Sequence, residues 1–199
     1  MKMRTLSIAI AIMLFGLSNV FAQNEEYKST VTVNTGFSLV GNLLNIETSA
    51  DTDFNTYSLP AFQATYDYGL AKWFSIGVAG SVQFMGVEYN DYQGMGDSFK
   101  TSITRTNFAL RGLFHYGNDD KLDMYSGVRM GFTNWSISTD YDNPDYDADS
   151  ELSISQGFGA APQVVLFGVR GYFNNNIGVN MEVCVGSPHY LSLGVNYRF

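Results

Sequence analysis

The sequence predicts an all-β fold: an eight-stranded antiparallel, up-and-down transmembrane β-barrel with a polar, filled interior. Three observations support this fold class. Eight segments alternate apolar and polar residues with a period of two, as a strand does when one face is apolar and the other polar. Most of them have the ~9–11 residues that a tilted strand needs to cross a bilayer. Long and short links between the segments alternate along the chain.

The N-terminus has the features of a cleaved signal peptide. Lys2 and Arg4 precede an apolar stretch, and the segment Val20–Ala22 has the small-residue pattern of a cleavage site. The alternative is a transmembrane anchor, but the apolar stretch is shorter than the ~20 residues that a spanning helix needs. We therefore expect residues 1–22 to be removed and residues 23–199 to form one barrel domain.

Composition and charge exclude several classes of protein. The formal charge of −8 becomes −10 when the two charges of Lys2 and Arg4 are removed, so a nucleic-acid partner is not expected. Cys184 is the single cysteine, which rules out an intrachain disulfide. Apolar residues make up 45% of the chain. Because they form no long run beyond the signal segment, they must be distributed by alternation.

Each predicted strand has one apolar and one polar face. In the first strand Val31 and Val33 oppose Thr32 and Asn34, and the other strands follow the same rule. The sixth is the least regular, because apolar residues occur on both of its faces. The eight predicted strands cover, in order, residues 30–41, 57–68, 73–86, 102–116, 122–135, 158–171, 177–185 and 190–199.

The polar face differs from that of a soluble β-sandwich. A solvated face is normally rich in Lys and Glu, whereas here the polar positions are mainly Gly, Ser, Thr, Asn and Gln with isolated charges. Small polar side chains fit the crowded interior of a narrow barrel. The apolar face is therefore expected to contact lipid.

The links between the strands indicate how the barrel is oriented. Outer-membrane barrels have short periplasmic turns and longer external loops. With the N-terminus in the periplasm, the long links at 42–56, 87–101 and 136–157 are predicted outside, together with a tight "GSPH" turn at 186–189. Aromatic residues support this orientation, because they gather at the strand ends that are predicted to be periplasmic. This predicted girdle comprises Tyr66, Tyr68, Trp73, Phe74, Phe114, Tyr116, Tyr172, Phe173, Tyr197 and Phe199.

Two segments resemble a known family. The stretch "SLPAFQATYDYGLAKWFSIGV" and the C-terminal "YLSLGVNYRF" are similar to strands of the small outer-membrane β-barrel family, the OmpX-like and OmpA-like porin-family proteins of Gram-negative bacteria. The resemblance covers nearly the whole mature chain. It implies a location in the outer membrane, contact with lipid and lipopolysaccharide, and insertion by the barrel-assembly machinery. In the family, that machinery reads a terminal pattern like the one formed here by Val195, Tyr197 and Phe199.

Charged residues on the inner face are the first candidate site. Arg111, Arg129 and Glu182 are predicted mid-strand, where a buried charge is costly unless it is paired. We expect Glu182 to meet at least one of the two arginines. The group acts either as a gate or proton path, or as a polar core that fills the lumen. Near the periplasmic mouth the inner face is predicted to carry Asp67, Asp123, Arg170 and Arg198.

The third long link is strongly acidic. Asp145, Asp147 and Asp149 match the first half of a calcium-binding loop, but Ser150 replaces the required Gly and Gln156 replaces the bidentate Glu. The main expectation is therefore a solvated loop without a metal, and a weak divalent-ion site is the alternative. The acidic residues of this link are Asp140, Asp142, Asp145, Asp147, Asp149 and Glu151.

Motifs for catalysis and cofactor binding are absent from the sequence. There is no P-loop, dinucleotide fingerprint or zinc spacing, and Cys184 is expected to be inert. We expect a non-enzymatic protein without a cofactor that interacts with an unknown extracellular ligand through its acidic loops at the cell surface. One alternative is a narrow pore for ions or small solutes. Another is a lipid-modifying enzyme, which would need a Ser, a carboxylate and His115 or His189 within reach of one another.

Overall fold

The computed structural model describes residues 27–39, 54–92, 97–119, 121–141 and 154–199. The predicted signal peptide and much of the first and third long links lie outside these ranges. Within them, no helix has the length and apolar character to cross a membrane. The strands are β1 (Ser29–Phe37), β2 (Phe54–Ser58), β3 (Ala61–Ala71), β4 (Phe74–Tyr92), β5 (Asp97–Asp119), β6 (Leu122–Tyr141), β7 (Ile154–Ala160), β8 (Gln163–Tyr172), β9 (Ile177–Gly186) and β10 (Leu191–Arg198).

These ten segments make eight barrel strands. β2 and β3 pair with the same side of β4, and β7 and β8 pair with the same side of β6. Pro60 separates the first two segments and Pro162 separates the second two. Proline interrupts a strand ladder because it has no backbone N–H to donate. All pairings are antiparallel, which confirms the predicted eight-stranded antiparallel barrel.

The barrel is closed by its first and last strands. β1 pairs with β10 so that Val31 faces Tyr197 and Gly36 faces Ser192. The Ser29 amide also donates a hydrogen bond of 2.9 Å to the Phe199 carbonyl oxygen. β1 begins and β10 ends at the barrel end that carries the short links after β3, β5 and β8. We call this the turn end and the opposite end the loop end.

The two faces of the wall have opposite polarity. Thr32 and Asn34 of β1 are buried inside, whereas Val33 points outward. Across the barrel, Leu110 and Met130 are 69% and 65% exposed on the outer surface. Large apolar side chains on the outside of a barrel are favoured when lipid surrounds it. The fold is thus a transmembrane barrel with a filled polar interior, as predicted.

A β-bulge explains the irregular sixth predicted strand. In β8 the register against β9 shifts between Val165 and Phe167. Leu166 and Phe167 consequently both point outward, whereas Val165 and Arg170 are buried inside. An extra residue in one strand changes which face the following residues occupy. Simple alternation therefore assigned residues on one side of the bulge to the wrong face.

Three neighbouring strands are longer than predicted. β4, β5 and β6 contain 19, 23 and 20 residues, roughly twice the ~9–11 needed to cross a bilayer. They extend into the links predicted at 87–101 and 136–157, where Val87, Tyr89, Phe99 and Ile137 continue the alternating pattern. The wall of the barrel is therefore tall along β4–β6 and low along β9, β10 and β1.

Aromatic residues cluster at the turn end, with one exception. The rings of Trp73, Phe74 and Phe114 lie 5.1–6.1 Å apart, and those of Tyr197 and Phe199 lie 5.8 Å apart. Tyr172 was predicted in this outer girdle, but it is buried in the lumen. Tyr172 lies two residues beyond Arg170 on β8, so alternation places both on the inner face, and its position at a strand end was a misleading signal.

Candidate functional site in the barrel lumen

Glu182 of β9 lies in the middle of the lumen. The Arg111 Nη2 atom on β5 donates a hydrogen bond of 2.7 Å to Glu182 Oε1, and the Tyr125 hydroxyl on β6 donates one of 2.8 Å to the same oxygen. Gly168 of β8 leaves room for the Tyr125 ring, since a Cβ atom there would lie 2.2 Å from it. A buried carboxylate that is paired in this way avoids the cost of an isolated charge.

A chain of ion pairs runs from Glu182 toward the turn end. Arg111 Nε lies 3.1 Å from Asp67 Oδ1, and Arg170 Nη2 lies 2.5 Å from Asp67 Oδ2. Arg170 Nη1 is 3.4 Å from Asp123 Oδ2. The fold thus brings five of the sequence-predicted site residues together with alternating charges. We call Glu182, Arg111, Asp67, Arg170 and Asp123 the ion-pair chain.

The ion-pair chain continues into a hydrogen-bonded histidine. His115 Nδ1 lies 2.7 Å from Asp123 Oδ1, and Ser75 Oγ lies 2.7 Å from His115 Nε2. This is the order of contacts in a Ser–His–Asp catalytic triad. However, all three residues are buried and Asp123 also pairs with Arg170. We interpret the trio as the hydrogen-bonded end of the ion-pair chain, because a nucleophile must be reachable by its substrate.

Arg129 of β6 has a different environment. It is the cross-strand neighbour of Arg111, yet its guanidinium donates to amide oxygens of Gln63, Asn107 (2.6 Å) and Gln163 (3.5 Å). In the part of the chain that the structure describes, no carboxylate lies within ion-pair distance of it. Of the two arginines considered for Glu182, Arg111 is the one that contacts it.

Arg198 lies at the mouth of the turn end and outside the ion-pair chain. Its guanidinium stacks 4.1 Å from the centre of the Tyr172 ring. Its Nε and Nη2 atoms each donate a hydrogen bond of 3.2 Å to the Asn175 carbonyl oxygen. Arg198 therefore ties the last strand to the turn between β8 and β9.

Arg105 and His189 are two of the lumen residues that were not predicted as part of the interior polar site. Arg105 Nη2 donates to the Pro188 carbonyl oxygen (2.5 Å), Gln83 Oε1 (2.7 Å) and Ser38 Oγ (3.1 Å). His189 is fully buried, and Gln163 Nε2 donates a hydrogen bond of 2.8 Å to its carbonyl oxygen. The alternation of residues along the predicted fourth strand already placed Arg105 on the inner face. The sequence contains no signal for the turn after β9, which folds into the lumen and not into solvent.

The remaining sequence-predicted residues are placed as follows. Val195, Tyr197 and Phe199 lie on the outer surface at or near the turn end, about half exposed. Their role as an assembly signal stays a prediction. Asp145, Asp147 and Asp149 lie outside the described residues.

No protein-family model and no curated protein matches this chain. Solved structures do match in fold. The outer membrane protein OprG from Pseudomonas aeruginosa is 12% identical with a TM-score of 0.55, and the match covers 88% of this chain and 97% of that one.

Two further solved structures have lower TM-scores. Ail, the attachment invasion locus protein of Yersinia pestis, is 12% identical with a TM-score of 0.43, over 88% of this chain and 100% of that chain. Escherichia coli outer membrane protein W is 15% identical with a TM-score of 0.42, over 88% and 100%. At sequence identities this low, a structural match shows similarity of fold alone. The match to OprG is the evidence for that similarity, because its TM-score is above 0.5. With its closed wall, apolar outer face and polar lumen, the chain has the fold of the small outer-membrane β-barrel proteins.

Proposed function

We propose that residues 1–22 are a signal peptide that directs export and is then cleaved. The mature protein resides in the outer membrane with its turn end toward the periplasm. Its lumen is closed, and it acts without catalysis by presenting an acidic surface outside the cell. The fold and the apolar outer wall support the location. The alternation of short turns and long links supports the orientation.

The filled lumen is the observation that carries this proposal. Arg111, Arg129, Arg170, Tyr125 and Glu182 are each at most 4% exposed, and they converge from different sides of the wall. Arg105 and the inward turn after β9 add a second layer at the loop end. A narrow eight-stranded barrel that is filled with paired side chains leaves no path for ions or solutes, and it holds the external loops on a rigid wall.

Charge at the loop end indicates what the surface would contact. The three long links contain 12 acidic residues and one basic residue, Lys100. Three acids belong to the first link (Glu47, Asp51, Asp53), three to the second (Glu88, Asp91, Asp97) and six to the third (Asp140, Asp142, Asp145, Asp147, Asp149, Glu151). A surface whose charges are mostly of one sign attracts a partner that carries the opposite charge, and it accelerates the association of the two. We propose a partner with a basic surface.

Planar-bilayer recordings test whether the lumen is closed. We expect the wild-type protein to give no conductance steps above those of the bare bilayer. Glu182→Gln removes the charge in the middle of the lumen and keeps its shape, so it should remain silent as well. Steps from the wild-type protein, or a large rise in open probability in Glu182→Gln, would contradict the closed lumen.

Neutralising the third link tests the surface role. The four aspartates from Asp142 to Asp149 are changed to Asn and Glu151 to Gln, and cells that display the protein are exposed to labelled polylysine. We expect binding to fall at least about tenfold and its salt dependence to flatten. Asp119→Asn with Asp120→Asn is the control: it removes two acidic charges from the end of β5 and the short link after it, and it should leave binding unchanged. Equal binding by both variants would rule out the acidic surface as the binding site.

A narrow pore is the second candidate, and one observation favours it. Among the described residues, Thr32, Asn34, Asn180, Asn196 and Ser192 are buried along β1, β9 and β10 with side-chain atoms that have no hydrogen-bond partner. Buried polar groups of this kind are commonly satisfied by water. The recordings described above distinguish this candidate from the closed barrel.

A further inference from the structure

Three potential metal ligands meet inside the barrel. A carboxylate oxygen of Glu182, the Cys184 thiol and an imidazole nitrogen of His189 all lie within 4.8 Å of one another, and all three residues are buried. Glu182 and Cys184 are two residues apart on β9, so both face the lumen. We call these three residues the Glu–Cys–His cluster.

Backbone contacts hold His189 over this part of β9. The Cys184 amide donates a hydrogen bond of 2.7 Å to the Tyr190 carbonyl oxygen, and the Tyr190 amide donates one of 2.9 Å to the Phe37 carbonyl oxygen. Gly36 lies directly beside the imidazole, since a Cβ atom there would come within 2.8 Å of His189 Cβ and Cγ. Only a residue without a side chain leaves room for His189 in this position.

The imidazole of His189 has unused bonding capacity. The side chain is fully buried, and neither ring nitrogen has a hydrogen-bond partner among the described residues. Its Nε2 atom lies 3.9 Å from Glu182 Oε2, which is too long for a hydrogen bond. Two ligands of one tetrahedral zinc ion lie roughly 3.4 Å apart, so this separation is close to that of atoms sharing a cation. His115, by contrast, uses both of its ring nitrogens.

We propose that the Glu–Cys–His cluster binds a borderline-soft divalent cation of the Zn²⁺ class. A thiolate, an imidazole and a carboxylate suit Zn²⁺, whereas Ca²⁺ and Mg²⁺ take oxygen ligands. Ligand atoms as far apart as 4.8 Å would have to approach by about 1 Å to reach zinc geometry. Three protein ligands leave a fourth position for water.

The charges around the cluster permit this binding. Arg111 and Arg129 are the nearby cations, but Arg111 is already shared between Glu182 and Asp67. On binding, the Cys184 thiol loses its proton to solvent and the thiolate forms the bond to the metal. Asp67 and Asp123 can neutralise Arg111 and Arg170, so the charges of Glu182 and the Cys184 thiolate are left to balance the two positive charges of the ion. Glu182 Oε2 remains available because Arg111 and Tyr125 both contact Oε1.

Cobalt substitution tests the site, because a thiolate bound to Co²⁺ gives a charge-transfer absorption that oxygen ligands do not. The mature chain, without a histidine tag, is refolded in detergent with Co²⁺ or Zn²⁺. We expect one ion per barrel, a thiolate-to-Co²⁺ band, and the release of a proton. Cys184→Ser should abolish the band, and His189→Gln should weaken binding at least about tenfold. His115→Gln changes the other buried histidine and should bind as the wild type does.

The proposal fails if the folded wild-type barrel shows no thiolate band. It also fails if Cys184→Ser and His189→Gln bind Zn²⁺ as tightly as the wild type. X-ray absorption of the Zn²⁺-loaded wild type keeps the test decisive if a variant does not fold. A first shell that contains sulfur and nitrogen supports the site, and a shell of oxygen alone overturns it. The metal-binding test does not use conductance, so its outcome does not depend on whether the proposed closed lumen is correct.

Discussion

Arg111 and Arg129 are cross-strand neighbours on β5 and β6, and both point into the lumen, yet their surroundings differ completely. Arg111 contacts two carboxylates, those of Asp67 and Glu182. Among the described residues, Arg129 donates to amide oxygens alone. Arg105, near the loop end, likewise donates to uncharged acceptors: an amide, a hydroxyl and a carbonyl oxygen. In the turn-end half of the lumen, the arginines are therefore neutralised by carboxylates. In the loop-end half, uncharged polar groups accept the hydrogen bonds of the arginines.

The difference shows two ways of burying a guanidinium. An ion pair gives strong attraction, but losing one partner strands the other charge in a medium of low dielectric constant. Neutral acceptors each contribute less, and losing one leaves the others in place. The turn-end half should therefore be the more sensitive to single substitutions.

The largest effect is expected for Asp67→Asn. Asp67 contacts both Arg111 and Arg170, so the isosteric amide leaves two buried cations with weaker partners. We expect the free energy of unfolding to fall by about 3–5 kcal/mol. Urea titration of the refolded barrel, followed by tryptophan fluorescence, measures it. A loss below about 1 kcal/mol would mean that the ion-pair chain contributes little.

A smaller effect is expected for Asn107→Leu in the loop-end half. Asn107 Oδ1 accepts a hydrogen bond from Arg129, and its Nδ2 atom donates to Thr133 Oγ1 at 2.9 Å. Because Gln63 and Gln163 still solvate Arg129, we expect a loss of about 1–3 kcal/mol in the same titration. If this variant is less stable than Asp67→Asn, the contrast between the two halves is wrong.

The smallest effect is expected outside the lumen, for Lys100→Ala. Lys100 lies 4.0 Å from Glu88 on the tall part of the wall, and both side chains are about half exposed. Exposed pairs contribute little because water and salt screen them, so we expect a change of about 0–1 kcal/mol. Melting in high and low salt checks it. A loss as large as that of Asn107→Leu would show that the extended sheet couples to the barrel.

Strand periodicity was sufficient to predict the strand count, the closure and most of the faces, because one face must meet lipid and the other must not. It failed at the β8 bulge, since with one extra residue no single alternation fits both sides of the bulge. Tyr172 was assigned to the outer girdle from its position at a strand end, although alternation from Arg170 places it inside. Strand periodicity also underestimated β4–β6, where alternation continues through segments that resemble links.

The alternation of inward and outward residues along the strands predicted the members of the ion-pair chain but not which of them pair. Arg111 and Arg129 occupy equivalent positions in the sequence pattern, and only the three-dimensional arrangement decides which of them reaches Glu182. The burial of His189 could not be predicted, because a short turn containing Gly, Ser and Pro normally faces water.

The pairing of β1 with β10 constrains when the barrel can form. Val31 and Tyr197 are neighbours in space but are separated by 166 positions along the chain. Until β10 is available, one row of backbone groups on β1 lacks its partner strand, and such an edge can pair with other chains. Contacts between distant segments also form slowly. The interval before β10 pairs is therefore the period in which the chain is most prone to aggregate, because the edge of β1 stays open until the final strand closes the barrel.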